Sequence, residues 1–173
     1  FFTGSTAVAK KIMAAATTHL VPVTLELGGK SPVIVGCSAD LKIVADRVWN
    51  GKLMNGGQTC IAPDYLFIPE ENLEPWIEAS TNSIASMFPL IFKNEDYTSI
   101  INVNHFERLQ KYLEDARRRG AQIIEFNPGR EEELERTYYK LMPSMILDVT
   151  DDMLVMKEEI FGPIMPIKTY RKI

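Results

Sequence analysis

Val23-Thr24-Leu25-Glu26-Leu27-Gly28-Gly29-Lys30-Ser31-Pro32-Val33-Ile34-Val35 is the stretch on which the fold turns. Residues 23–27 and 33–35 are short apolar runs of strand type, and Gly28-Gly29 between them marks a tight backbone path where another group comes close. On either side the apolar pattern changes to a helical spacing. Upstream, Val8, Ile12, Ala15 and Ala16 form one apolar helix face. Downstream, Leu41, Val44, Ala45 and Val48 form another, with Ser38 or Asp40 as its cap.

The alternation continues to the end of the chain. Residues 65–68 read as a strand, and Leu73, Trp76, Ile77, Ile84, Met87 and Phe88 describe a longer amphipathic helix. Asn104 with Glu107 resembles a capping box ahead of Phe106, Leu109, Leu113 and Ala116. Residues 122–126, 141–147 and 164–170 are strand-like, with a polar excursion over 127–135. There is no internal repeat. Strands alternating with helices predict an α/β layer architecture with a largely parallel sheet.

Bulk properties exclude several classes of function. The 173 residues suit one domain, or one domain plus part of another, and 46% hydrophobic content supplies a core of ordinary size. Acids outnumber bases 23 to 19, which argues against a nucleic-acid partner. The basic run Arg117-Arg118-Arg119 falls at a helix end, where cations complement the helix dipole, and reads as solvated; so does Glu131-Glu132-Glu133. No apolar stretch reaches the roughly 18–20 residues of a membrane span. Two cysteines make no disulfide framework and fit a reducing, intracellular compartment. With no starting Met and no signal segment, the chain reads as a piece of a longer protein.

Candidate chemistry is concentrated in the first 60 residues and near the far end. Gly4-Ser5-Thr6, between a strand end and a helix, is either a helix cap or a seat for a phosphate. Glu26, inside an apolar run, is either a satisfied strand-end residue or a buried base with a raised pKa. Cys37 reads as a small buried core residue. Cys60 differs, because Asn55, Gln58 and Thr59 give it polar neighbours of the kind a reactive thiol needs. His19 and His105 sit at helix ends and suit surface or capping roles. The scattered cysteines and histidines offer no zinc-type ligand set, so no metal is expected. Lys157-Glu158-Glu159-Ile160-Phe161-Gly162-Pro163 is either a solvated charge run or, with an acid two residues before a Phe at a turn, a group that grips a sugar and lines a flat ring.

Taken together, Phe2-Thr3-Gly4-Ser5-Thr6, Leu25-Glu26-Leu27-Gly28-Gly29-Lys30-Ser31-Pro32, Gly57-Gln58-Thr59-Cys60 and Glu158-Glu159-Ile160-Phe161-Gly162-Pro163 resemble the aldehyde dehydrogenase superfamily, in its order and at its kind of spacing. Within it, Gly51-Lys52-Leu53-Met54-Asn55, Ala62-Pro63-Asp64-Tyr65 and the segment Ile101-Asn102 with His105-Phe106-Glu107-Arg108-Leu109 look most like the coniferyl aldehyde and class 3 branch. The resemblance implies an NAD- or NADP-dependent oxidation of aldehydes to acids. Cys60 would be the nucleophile and Glu26 the base that activates hydrolytic water. Gly4, Ser5 and Leu27 would lie at the cofactor, Glu159 would bind the nicotinamide ribose, and Phe161 would abut the nicotinamide.

The fold implied is the three-layer catalytic domain of that family over residues 28–173, with residues 1–27 a remnant of the dinucleotide-binding domain. An asparagine completing the oxyanion hole, and most of the cofactor site, are expected upstream of Phe1; an oligomer-building strand is expected beyond Ile173. The full-length parent is expected to be a cytoplasmic homodimer or homotetramer, and the isolated 173 residues are expected to be inactive. Two alternatives are a CoA-acylating reductase, disfavoured by Glu26, and a non-catalytic binding protein of the same fold, disfavoured by Cys60 and Glu26 together.

Overall fold

The computed structural model describes residues 1–132 and 138–171. A short strand, β1 (Phe2–Gly4), leads through a Ser5 cap into α1 (Thr6–Thr17), and the chain returns as β2 (Leu25–Leu27), parallel to β1. Beyond Gly28-Gly29 the chain starts a second sheet. Its strands are β3 (Pro32–Ile34), β4 (Tyr65–Pro69), β5 (Gln122–Glu125), β6 (Ser144–Leu147) and β7 (Ile164–Tyr170), in the spatial order β3-β4-β7-β6-β5. All neighbours are parallel except β5, which runs antiparallel to β6 at one edge. The helices are α2 (Leu41–Leu53), α3 (Leu73–Met87), α4 (Val103–Arg118) and the single turn α5 (Leu154–Lys157).

Period-two alternation along the central strands creates the layers. Met145 and Leu147 of β6, with Met165 and Ile167 of β7, face a core shared with Trp49 of α2 and Trp76 and Ile84 of α3. Ile146 and Ile164, from the same strands, face the opposite core with Phe106, Leu109 and Leu113 of α4 and Val155 of α5. Each of these central strands is therefore buried on both faces, as parallel sheets require. Trp49 also meets Phe126 edge-to-face, with ring centroids 5.3 Å apart, joining α2 to the segment after β5.

Several details depart from the expectations drawn from sequence. The strand expected over 23–27 begins only at Leu25, because its partner β1 offers just three residues in register. The strand expected over 141–147 begins at Ser144, after Pro143, which has no N–H to give a ladder. The α2 cap is Asp40, whose Oδ1 accepts from the Lys42 and Ile43 amides at 3.0 and 3.2 Å. The cap of α4 is Asn102, not Asn104. Asn102 is extended (φ −162°, ψ 172°) and its Oδ1 accepts from His105 N at 3.0 Å, which leaves Asn104 inside the first turn. The apolar face expected on α1 is largely uncovered: Val8 and Ala15 are exposed and only Ala9 is buried. Cys37 is exposed too, in a turn beyond β3, and is no core residue.

The two charge runs also behave differently from free solvated charges. Arg117, Arg118 and Arg119 are exposed, but Arg119 Nε holds the buried Asp115 at 2.9 Å, and Arg117 pairs with Glu125. Asp115 in turn accepts from Leu154 N at 2.9 Å, fastening α5 to α4. These bonds hold the Asp115 carboxyl below its ordinary range, first through the Leu154 amide and then through Arg119.

Glu131 is buried, and its carboxylate receives three consecutive amides, Ile91 at 2.5 Å, Phe92 at 3.0 Å and Lys93 at 2.9 Å. Glu132 is exposed; Glu133 and the remainder of the expected polar excursion lie outside the described residues. Glu131→Ala removes a charge from three donors at once, two of them in the buried residues Ile91 and Phe92. It is expected to lower stability by roughly 2–4 kcal/mol, read as a shift of the urea midpoint with an unchanged slope.

Candidate active site

α2 ends in a turn of 3-10 type, Met54–Gly57, in which Asn55 (φ 53°), Gly56 (φ 63°) and Gly57 (φ 76°) are all left-handed. Three such residues in sequence fold the chain sharply back. Gln58 then locks the return. Its Nε2 donates to Asn55 O at 2.9 Å and to Ser99 O at 3.1 Å, and its Oε1 accepts from Ile101 N at 2.9 Å. Ala62 N donates to Thr59 O at 3.0 Å, closing a turn with Cys60 at its tip. Cys60 is exposed on that tip while Ala62 is buried beneath it. The local sequence thus builds a rigid pedestal with an accessible thiol.

Gly57 also carries the first contact with the far end of the chain. A Cβ there would lie 2.4 Å from Gly162 O, so the two loops touch backbone to backbone. Gly162 is pressed from its other side by Leu109 of α4, 2.5 Å from where its own Cβ would stand. The second contact is made by Gly28, at the end of β2. A Cβ at Gly28 would fall 1.8 Å from Glu159 Oε2, so the Glu159 carboxylate rests where a side chain would be. The segment bearing Glu159, Phe161 and Gly162 is therefore met both by the Cys60 loop and by the strand bearing Glu26.

Glu159 is partly buried, and desolvation raises its carboxyl above the ordinary range; the facing Gly29 amide offsets part of that rise. Phe161 has φ 51°, a left-handed conformation that a bulky residue adopts only under external constraint. Its ring is half-buried. Glu26 is exposed on β2 opposite Thr3, so the alternative of a buried base is not what the chain shows. Gly4 and Leu27 are register partners at the carboxyl ends of β1 and β2, the end of a parallel pair where ligands are usually taken. Ser5 caps α1, its Oγ accepting from Val8 N at 3.4 Å, and is exposed. Among the described residues no group of three or more His, Cys, Asp or Glu side chains is placed to hold a metal ion.

Behind this surface lie four charged residues to which sequence reasoning gave no role. Asp64, buried just before β4, accepts from the Lys30 ammonium and from Ile160 N at 2.9 Å. Lys30 Nζ also donates to Val155 O and Glu158 O, each at 3.0 Å. Arg108 of α4 donates to Ile160 O at 2.8 Å. Lys52 is fully buried among Asp64, Lys30 and Glu159, and burial brings its ammonium down to about 8. A sequence signal existed for Lys52: it falls in step with Ala45, Val48 and Trp49 on the buried stripe of α2, where a lysine is unexpected. Lys30 and Asp64 lay inside quoted motifs, but nothing in their spacing shows that they pair.

This arrangement matches a known family over its whole length. The aldehyde dehydrogenase family model matches residues 1–173. The chain belongs to the aldehyde dehydrogenase family. It is 55% identical over 170 residues to a coniferyl aldehyde dehydrogenase of a Pseudomonas species, a match covering 98% of this chain and 35% of that protein. Among solved structures, it resembles AldH of Staphylococcus aureus in a substrate-bound state, with a TM-score of 0.81 and 40% identity over 99% of this chain and 36% of that one. It also resembles the NAD+ complex of an aldehyde dehydrogenase from Bacillus cereus, with a TM-score of 0.83 and 34% identity over 99% of this chain and 34% of that one. The chain thus spans about a third of the length of these relatives. The mostly parallel α/β fold expected from sequence is the one these neighbours share.

Lys52 yields a pH-dependent expectation. Its folded value, about 8, lies below its ordinary 10.5. Between those values the unfolded chain holds the proton and the folded chain does not, so the Lys52 contribution to stability rises with pH across that window. Below it both states are protonated and the penalty of burying the ammonium is constant. Lys52→Met should therefore be most stabilised relative to wild type at neutral pH, and the gain should shrink as pH climbs toward 10. Urea unfolding of both proteins at several pH values checks this; a difference that is flat with pH would contradict it.

Proposed function

We propose that these residues form part of an NAD- or NADP-dependent enzyme that oxidises an aldehyde to a carboxylic acid. The observation that carries the reading is the exposed thiol of Cys60 on a rigid turn, packed through Gly57 against the loop that presents Glu159 and Phe161. A cofactor fits what is present. Glu159 offers a carboxylate in a cradle that any side chain at Gly28 would fill, and the exposed start of α1 at Ser5 offers amides to a pyrophosphate. Gly4, Ser5, Leu27, Glu159 and Phe161 would hold that group, which when bound supplies the hydride acceptor.

In this reading Cys60 Sγ adds to the aldehyde carbonyl carbon, giving a thiohemiacetal whose oxygen is met by the Cys60 backbone N–H. Loss of hydride leaves a thioester on Cys60. Glu26 then takes a proton from water as its oxygen attacks the thioester carbon, the C–S bond breaks, the Cys60 thiolate is regenerated, and the acid is released. Glu26 separates this outcome from CoA acylation. An aromatic aldehyde of the coniferyl type is supported by the 55% identity to an enzyme of that name.

The same reading takes residues 1–27 as belonging to the cofactor domain and 28–173 to the catalytic domain, supported by the change of sheet between Leu27 and Pro32. It takes the whole protein as a cytoplasmic homodimer or homotetramer, the compartment being supported by two exposed free thiols. No helix among the described residues is long and apolar enough to cross a membrane.

In the full-length protein, Cys60→Ser is expected to abolish acid formation. Glu26→Gln should leave the first turnover, seen as a burst of reduced cofactor in stopped flow, and slow later turnovers at least about a hundredfold. Unimpaired multiple turnovers by Glu26→Gln would defeat the hydrolytic assignment. The 173 residues alone should produce little or no reduced cofactor.

A further inference from the structure

The Glu159–Ile160 peptide is gripped from two directions. On one side the Ile160 N–H donates to Asp64 Oδ1 at 2.9 Å. On the other, the Arg108 guanidinium reaches two successive carbonyls, Ile160 O from Nη2 at 2.8 Å and Glu159 O from Nη1 at 3.4 Å. Arg108 is itself held. Its Nη1 donates to Tyr112 Oη at 3.1 Å, one turn along α4, and its guanidinium carbon lies 5.2 Å from the centroid of the Tyr112 ring. The next residue on the helix, Leu109, presses on Gly162. One turn of α4 thus holds both the residues before Phe161 and the residue after it. A planar fork spanning consecutive carbonyls is a task for arginine and not for lysine, whose ammonium makes a single point contact.

We propose that Arg108 is a positioning residue for the cofactor. By fixing the two carbonyls that flank the Ile160 side chain, it sets the Glu159 carboxylate above Gly28-Gly29, where it receives hydroxyls of the nicotinamide ribose. The inference rests on the cofactor role proposed for Glu159, and adds that this role depends on α4, remote in sequence from every cofactor residue named above. Arg108 touches neither substrate nor cofactor; it acts through Glu159.

The test measures cofactor binding to the full-length protein directly, by titration calorimetry with NAD and with NADP, beside steady-state kinetics and thermal melts. Arg108→Lys keeps the charge and stem but loses the fork, and should weaken cofactor binding about tenfold. The cofactor KM should rise in parallel while the aldehyde KM stays put. Tyr112→Phe, which removes only the hydroxyl that Arg108 engages, should act in the same direction and more weakly. Arg117→Lys, on the same helix but away from the loop, should leave cofactor affinity unchanged.

Glu159→Gln alone should also weaken binding, and Arg108→Lys on top of it should add less than about twofold, because the two residues act as one unit. A full tenfold loss in that background would overturn the proposal, as would a lower melting temperature for Arg108→Lys with unchanged cofactor affinity. If Glu159→Gln leaves the affinity unchanged, the role of Glu159 fails and the Arg108 inference falls with it. If Glu159→Gln weakens binding and Arg108→Lys does not, only the present inference is lost.

Discussion

The buried carboxylate of Asp64 is the constraint on which the arrangement of the site depends. Its side chain is 4% exposed, and Lys30, its partner, 18%. A charge so placed is tolerable only if its oxygens are occupied, and they are: the Lys30 ammonium takes one and the Ile160 amide the other. Lys30 then satisfies two carbonyls of its own, Val155 and Glu158. Three regions far apart in sequence, the turn before β3, the turn before β4 and the segment after α5, are thereby joined at one ionic node. Well-packed apolar residues would serve stability as well or better, but they would not set the direction of the 158–160 backbone. Asp64 does so through a single amide.

Around that node, contacts are made by absence of side chains. Gly28 receives a carboxylate and Gly57 receives a carbonyl, each closer than a Cβ would permit. Glycine is costly in unfolded-chain entropy, and here two of them lie where segments from different parts of the chain must meet. The division of labour is physical. Charges and hydrogen bonds set orientation, glycines set distance, and the groups assigned to chemistry, Cys60 and Glu26, are left exposed at the surface of the assembly.

Much of the fold was legible because its signals are local. Apolar spacing located α2, α3 and α4, and the runs at 65–68 and 164–170 became β4 and β7. The misplaced features arise where a local rule met a competing partner. Asn104 has the spacing of a capping box, yet Asn102 is the residue with an extended backbone and a side-chain oxygen that accepts from the first turn of the helix. Glu131 sits in a run of three acids, which locally reads as solvated, and only the fold shows three amides converging on it from forty residues away. The same holds at the site. Quoted motifs contained Gly28, Gly57, Cys60, Glu159 and Phe161, but the pairing of Gly57 with Gly162, or of Arg108 with Ile160, is a property of sheet order β4-β7-β6 and no spacing along the chain encodes it.

Phe161 shows why that non-local support is needed. Its left-handed backbone carries a strain of about 1–3 kcal/mol that an isolated peptide would relieve at once. Here the residues on both sides are over-determined. Ile160 is fixed at its amide by Asp64 and at its carbonyl by Arg108. Gly162 is wedged between Gly57 and Leu109, and Pro163 O accepts from Ser144 N at 2.9 Å, tying the exit of the turn to the start of β6. With both neighbours held, Phe161 cannot return to an ordinary φ without moving α4 or the Cys60 loop. The backbone direction from which the Phe161 side chain leaves the turn is therefore fixed by its neighbours. Loosening any one of these ties would let Phe161 relax toward an ordinary φ, which couples the packing of α4 to the shape of the surface proposed to receive the cofactor.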